Sequence, residues 1–181
     1  DSSGNTSIFV GNFSSEMIGV YTYSKKGWFN DISALSKIGR ASYLSLTFGL
    51  FLFDVDLDMD LDLFVGNGHV YPTRTKSQDG VTYKQESQLF LNNNYGQFTY
   101  ANEIAAGAIK KKMVVRGASA GDFDRDGDLD ILLTENNGPA HLWRNDVNDK
   151  NYLQIRTSSE SGRPGSLSPI YDSGTSHYWG L

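Results

Sequence analysis

The 181-residue chain contains no cysteine, and it has only three histidines and four prolines. Without cysteine, neither a disulfide framework nor a thiolate metal site can form. The longest apolar run, FGLFLF at 48–53, is far too short to cross a bilayer, so no membrane insertion is expected. The only basic run is KKK at 110–112, and together with a net charge of −5 it argues against a nucleic-acid partner.

Catalytic motifs are missing as well. His69, His141 and His177 lie in separate sequence contexts, without HExxH, GxSxG or a cysteine nucleophile. We expect His69 to be a turn or packing residue. A metal-dependent hydrolase would need an open coordination site and a pocket, and no pattern indicates either. The sequence therefore predicts a protein that is not an enzyme.

What the chain does contain is typical of a sheet protein. Aromatic residues make up 13% of it, and 19 glycines suit many tight turns. Five aromatic residues recur at strand positions, where most are expected in the core: Trp28, Phe29, Phe98, Trp143 and Trp179. Three tyrosines lie in connections, where ligand binding and local packing both remain open: Tyr71, Tyr83 and Tyr95.

Two segments, DVDLDMDLD at 54–62 and DFDRDGDLD at 122–130, place an aspartate at every second position. We call them the first and second acidic loops. Five carboxylates so close together repel one another strongly unless a hard cation takes oxygen ligands from several of them. The pattern predicts two Ca²⁺ sites rather than acidic turns that bind nothing. The candidate ligands are Asp54, Asp56, Asp58, Asp60, Asp62, Asp122, Asp124, Asp126, Asp128 and Asp130.

The spacing predicts a role for each loop position. Side chains at positions one, three and five converge if the chain curls tightly, and position six then needs a residue that tolerates positive φ. Gly127 meets that need, whereas Met59 predicts a first loop that is strained, weaker or differently coordinated. Asp60 and Asp128, at position seven, are expected to offer backbone carbonyls and to point outward. Position nine closes the shell.

The surrounding sequence excludes an EF-hand. That motif needs a bidentate acid at position twelve, where this chain has Val65 and Leu133. The residues after each loop, LDLFVGN and LDILLTEN, have strand patterns instead of a helical period. Each loop is therefore expected to join two strands.

Aligning the loops reveals a tandem repeat. The segment IFVGN at 8–12 matches LFVGN at 63–67, so DSSGNTS at the start is a degenerate third loop without expected calcium. Each copy continues into two more apolar strands, which predicts four-stranded antiparallel units of the propeller-blade type. The expected units are a partial first blade at 1–45, a second at 46–110, a third at 111–157, and a Ser/Gly/Pro-rich tail at 158–181.

These features, with NGHVYP at 67–72 and RGASAGDFDRDGDLDILLTENNGPAHLWRND at 116–146, resemble the FG-GAP (VCBS) repeat propellers that carry a C-terminal ASPIC/UnbV segment. The resemblance implies calcium-stabilised blades like those of integrin α subunits. It implies that carbonyls of Asp60 and Asp128 and the carboxylates of the other eight loop aspartates bind the metal.

The chain also departs from that family. Such propellers have about seven blades, whereas this chain holds about two whole blades and one partial blade, so no closed ring is expected. The first blade lacks its first strand, which leaves an unpaired edge. Either the tail supplies that strand, within one molecule or to a neighbour, or the chain is a trimmed piece of a longer propeller.

Two functions follow from this pattern. The first is a secreted or cell-surface calcium-binding module for adhesion, with a protein or glycan ligand, because such loops fill at extracellular calcium levels. The alternative is a structural subunit that assembles head to tail into a fibre, with copies of itself as partners.

Overall fold

The computed structural model describes residues 6–74, 80–93, 96–103, 105 and 107–147. Within those ranges the chain forms ten strands, one short helix and one 3₁₀ turn. The predicted all-β fold is therefore confirmed. The predicted fourth strand of the third blade, the tail, Tyr95 and most of the degenerate opening loop lie outside the described residues.

The first sheet is antiparallel and has three strands, in the order β1-β2-β3. They are β1 (Ser7–Val10), β2 (Gly19–Tyr23) and β3 (Phe29–Asp31). A 3₁₀ turn at Ser33–Leu35 and helix α1 at Lys37–Ser42 then lead into the second sheet. The repeat pattern did not predict α1, because six residues are too few to display a helical period. The Oγ of Ser36 starts it by accepting the N–H of Gly39 at 2.8 Å.

The second sheet has four antiparallel strands in chain order: β4 (Thr47–Phe53), β5 (Asp62–Asn67), β6 (Gln88–Leu91) and β7 (Thr99–Tyr100). The third sheet has three described strands: β8 (Val115–Gly121), β9 (Asp130–Glu135) and β10 (Ala140–Trp143). Both sheets contain a register shift at the same place in their first strand, between Thr47 and Gly49 and between Val115 and Gly117. The sheets are thus built as repeats of one unit.

The three sheets stack face to face with one hydrophobic core in each gap. Strand β5 belongs to the second sheet, which lies between the other two, and it is buried on both faces. Leu63 and Val65 pack with Val20 and Ile18 of the first sheet. Phe64 points the other way and packs in the core that contains Leu133 of the third sheet. Alternate side chains of one strand therefore fill two different cores, as the period of two dictates.

Glycine permits the close approach of the second and third sheets. A Cβ on Gly49 would lie 2.6 Å from the Cβ of Ala118, and one on Gly68 would lie 2.6 Å from the Cα of Val114. Real Cβ atoms do not tolerate such distances, so a larger residue at either position would push the sheets apart.

The aromatic residues divide between core and surface. Trp143 packs against Phe64 with ring centroids 6.2 Å apart, and Phe98 packs against Phe9 at 5.6 Å. For Trp28 and Phe29 the core prediction is wrong, because they are 54% and 41% exposed. Phe29 begins β3, the last strand of its sheet, and Trp28 directly precedes it. Their described ring contacts are with Tyr23 and Lys26 of the same hairpin. Trp179 lies outside the described residues.

Candidate metal centres

The acidic loops connect the first and second strands of the second and third sheets. Strand β4 ends at Phe53, which pairs with Asp62 at the start of β5. In the third sheet, Gly121 pairs with Asp130 in the same way. Because the ladder brings the two ends of each loop side by side, the residues between them must curl into a compact turn.

The backbone of both loops turns twice through the left-handed region. At position four, φ is +55° for Leu57 and +65° for Arg125, and at position six it is +75° for Met59 and +103° for Gly127. The expected positive φ at position six is confirmed in both loops, including the one that has methionine there. Position four was not predicted, because leucine and arginine give no sequence signal for this conformation.

This curl brings together the carboxylates at positions one, three and five. In each loop, one oxygen from each of these three side chains lies within 4.8 Å of the other two: Asp54, Asp56 and Asp58 in the first, and Asp122, Asp124 and Asp126 in the second. Ca²⁺ binds oxygens at about 2.3–2.6 Å, so its ligands are separated by up to about 5 Å. Both clusters have dimensions that fit the ion.

Two buried oxygens of the second loop support that fit. The Oδ1 atoms of Asp122 and Asp128 are buried and have no hydrogen-bond donor among the described residues. A buried carboxylate oxygen without a partner destabilises the fold, and a cation would satisfy it. The donor set is entirely oxygen, which suits a hard divalent ion.

The side chains at position nine close each loop by hydrogen bonding. Asp62 accepts the N–H of Val55 at 2.9 Å on one oxygen and that of Asn92 at 2.8 Å on the other. Asp130 repeats the arrangement in the second loop. Its two oxygens accept the N–H of Phe123 at 2.9 Å and the N–H of Asn145 at 3.0 Å. Each carboxylate thus ties the loop to the segment that follows the third strand. Their role as metal ligands stays a prediction.

The prediction that position seven points outward is wrong. Asp60 is 7% exposed and Asp128 only 2%. Each of these buried aspartates follows a residue with positive φ, Met59 or Gly127. Asp128 Oδ2 then accepts the N–H of Val147 at 2.8 Å, which fixes it beneath the segment after β10. The backbone carbonyls of both residues remain predicted ligands.

Burial raises the pKa of several loop carboxyls. The pKa of Asp62 rises to about 7, chiefly through burial and with a contribution from the charges of Asp56 and Asp60, although two N–H donors oppose the shift. Burial is also the first cause of the raised pKa of Asp54 and Asp128. The ionised loops are therefore costly on their own, and a bound cation would offset that cost.

Other candidate residues have structural partners. His69 is fully buried, with Nδ1 accepting the N–H of Tyr71 at 3.0 Å and Nε2 lying 3.1 Å from Ser14 Oγ. His141 Nε2 lies 3.1 Å from Glu135 Oε2, and His177 is outside the described residues. The Tyr83 hydroxyl accepts a bond from Asn136 at 3.1 Å. His69 is thus a packing residue, as predicted.

The sequence did not predict the roles of two residues: Arg116, which connects two sheets, and Asn145, which contacts the acidic loops. Arg116 donates to the carbonyls of Gly68 and His69, both at 3.0 Å, and its guanidinium lies 4.3 Å from the ring centroid of Phe48. Asn145 bonds to both acidic loops. Both residues lie in the run 116–146 that carries the family resemblance, but the spacing of that run assigned no role to either of them. No helix among the described ranges is long and apolar enough to span a bilayer.

Three antiparallel sheets stacked as repeats, two of them with an acidic loop between their first two strands, define a repeat protein built from blade-type units. The comparison with protein families agrees. The FG-GAP-like repeat model matches residues 54–133, from the start of the first acidic loop into β9, so this part of the chain is similar to FG-GAP repeats. No curated protein and no solved structure matches the chain.

Proposed function

We propose that the protein is a calcium-stabilised, propeller-type binding module that works outside the cell or on its surface. The observation that carries the proposal is the paired geometry of the acidic loops within the segment matched to FG-GAP-like repeats. Repeats of this family mediate protein interactions and do not form an enzyme family. The proposed ligand is a protein or a glycan, and the proposed role is adhesion.

The proposed metal is structural. In each loop, the carboxylates at positions one, three and five would hold Ca²⁺, with carbonyls from position seven and support from position nine. Bound calcium neutralises the clustered charge and fixes the turn between the first two strands. Sites of this kind in extracellular modules have dissociation constants of about 10⁻⁴ to 10⁻³ M, which favours a secreted or surface location. The ASPIC/UnbV-type tail and a complete propeller belong to the same proposal.

A second candidate is self-assembly into a fibre. The described part of the first sheet leaves one edge of β1 unpaired, since the order is β1-β2-β3. The outer faces of the stack also carry exposed apolar side chains: Ile8 and Val10 at 43% and 41% on one end, and Leu132 and Leu142 at 46% and 45% on the other. A neighbouring copy would supply a strand to the open edge of β1, and stacking of copies end to end would cover the apolar outer faces.

Calcium titration by isothermal calorimetry tests the metal, and binding to protein and glycan arrays tests the module. We expect two ions per chain and a ligand for the calcium-loaded monomer. Filaments in electron micrographs, without an external ligand, would favour the second candidate instead. No calcium uptake at millimolar concentration would refute the metal sites.

A further inference from the structure

The segment after β10 contacts both acidic loops. Its Asn145 donates its backbone N–H to Asp130 Oδ1 of the second loop at 3.0 Å. The side-chain amide of Asn145 donates to the carbonyl of Val55, in the first loop, at 2.7 Å. One residue thus connects two loops that lie far apart in the sequence.

The contacts on either side extend this connection. Val55 uses its own N–H to bond Asp62 Oδ2 at 2.9 Å, so its peptide groups are held from both directions between the ligand candidates Asp54 and Asp56. At the other end, Val147 donates to Asp128 Oδ2 at 2.8 Å. The segment 144–147 is therefore anchored on the second loop by two hydrogen bonds and by an ion pair between Arg144 and Asp124 at 3.8 Å, and it reaches the first loop through one hydrogen bond.

The direction of the Asn145 amide is also fixed. Its Oδ1 accepts the N–H of Asp146 at 3.1 Å, which leaves the NH₂ group facing Val55. Asn92 occupies the matching place in the second sheet, and its Oδ1 accepts the N–H of Asn93 at 2.9 Å. The NH₂ of Asn92, however, donates to Leu61 within its own sheet at 3.2 Å. Asn92 supports one loop, whereas Asn145 joins two.

We propose that Asn145 is a positioning residue that couples the two calcium sites, so that an ion in the second loop raises the affinity of the first. The inference rests on the proposed calcium binding. A filled second loop holds Asp128 and Asp130 in place, and with them the segment that carries Asn145. The Asn145 amide then fixes the Val55 peptide and pre-organises the ligands on either side of it.

Physical chemistry sets both the size of the coupling between the two calcium affinities and its reciprocity. A single hydrogen bond of this kind changes an equilibrium by about fivefold. Because binding linkage is reciprocal, an ion in the first loop must raise the affinity of the second by the same factor. The sites should therefore fill with weak positive cooperativity.

The test is a thermodynamic cycle measured by calcium calorimetry. Asp126→Ala leaves the first loop as the working site and Asp58→Ala leaves the second, and comparison with the two-site titration of the wild type gives the coupling factor. We expect a coupling factor of about five in the wild type and of about one in Asn145→Leu, because leucine has a similar shape but no hydrogen-bond donor. Asn92→Leu is the matched control and should leave the factor unchanged.

Hydrogen exchange gives a second readout. In Asp58→Ala protein, calcium can act only through the second loop, and we expect it to slow amide exchange across 54–62 unless Asn145→Ala is also present. Calcium uptake with a coupling factor of one, or an unchanged factor in the Asn145 variants, would overturn the coupling alone. Absence of calcium uptake by the wild type would overturn the proposed function and the coupling together.

Discussion

Met59 and Gly127 occupy the same position of the two acidic loops and both have positive φ, at +75° and +103°. Glycine adopts this backbone without a steric penalty, whereas methionine brings its Cβ close to the neighbouring carbonyl. The Met59 side chain is 60% exposed, so it recovers little of that cost by packing. The difference between the loops at residue scale is therefore one of backbone strain.

Replacing Met59 by glycine should strengthen the first loop. We expect Met59→Gly to stabilise the folded protein by about 1 kcal/mol and to increase the calcium affinity of that loop, since the strain is relieved in the conformation that binds. Thermal melts and calorimetry measure the two effects. Gly127→Met is the reverse control and should weaken the second loop. If Met59→Gly lowered stability, strain would not be the limiting factor.

The raised pKa of Asp62 predicts how stability depends on pH without metal. Because burial lifts this pKa from its ordinary value of 3.8 to about 7, the folded state binds more protons than the unfolded state between those values. In chelator, the free energy of unfolding should therefore fall as pH rises from about 4 to about 7. Urea unfolding across this range measures it. Calcium should remove the decline, and the same slope with calcium bound would contradict the explanation.

At the scale of elements, glycines set the spacing between sheets. Cβ atoms on Gly11 and Gly66 would each lie 2.8 Å from a side-chain carbon on the first strand of the next sheet, Thr47 and Val115 respectively. Thr134 of β9 occupies the position that Gly66 has in β5, and it lies on the outer face of the third sheet. Because threonine has a Cβ where the other two sheets have glycine, a further unit stacked on this face would have to lie farther away than the sheets inside the stack. This contact would differ from the two described.

A pair of glycine substitutions tests the close packing. Gly49 and Gly121 both lie in first strands, but a Cβ on Gly49 would meet Ala118 at 2.6 Å, whereas one on Gly121 has nothing within 4 Å among the described residues. Overpacking of this kind costs about 1–3 kcal/mol. We expect Gly49→Ala to lower the free energy of unfolding, measured by denaturant titration, by that amount and Gly121→Ala to change it little. Equal effects would mean that intrinsic strand preference, rather than sheet spacing, governs both sites.

For the whole molecule, calcium should be part of the stability of the stack. Ligand that binds only the folded state stabilises it by mass action, and its removal leaves clustered carboxylates to repel one another. We expect chelator to lower the melting temperature by several degrees. Differential scanning calorimetry with and without millimolar calcium measures the shift. An unchanged melt in excess chelator would count against both sites.

Molar mass separates the two proposed functions at the same scale. A mass near 20.0 kDa by light scattering in calcium would indicate a self-contained module. Large species in calcium that dissociate in chelator would indicate copies that complete one another's sheets. The measurement needs no knowledge of the ligand.

Periodicity accounts for the parts of this protein that could be predicted from sequence. Alternation of side chains predicts strands, and the recurrence of FVGN and of the acidic loops predicts sheets with a shared plan, because both depend on local spacing. The convergence of Asp54, Asp56 and Asp58 follows for the same reason, since three alternate residues in one tight turn face a common centre.

Contacts between distant residues account for the rest. Inward-facing Asp128 is held by Val147, Trp28 lies exposed at the end of a sheet, and Asn145 reaches Val55 across the stack. Helix α1 and the left-handed Leu57 and Arg125 also lack a sequence signal. The order of residues along the chain sets which side chains can share a turn or a strand face. Which sheet covers them, and which buried polar atom they must satisfy, depends on how the sheets pack together.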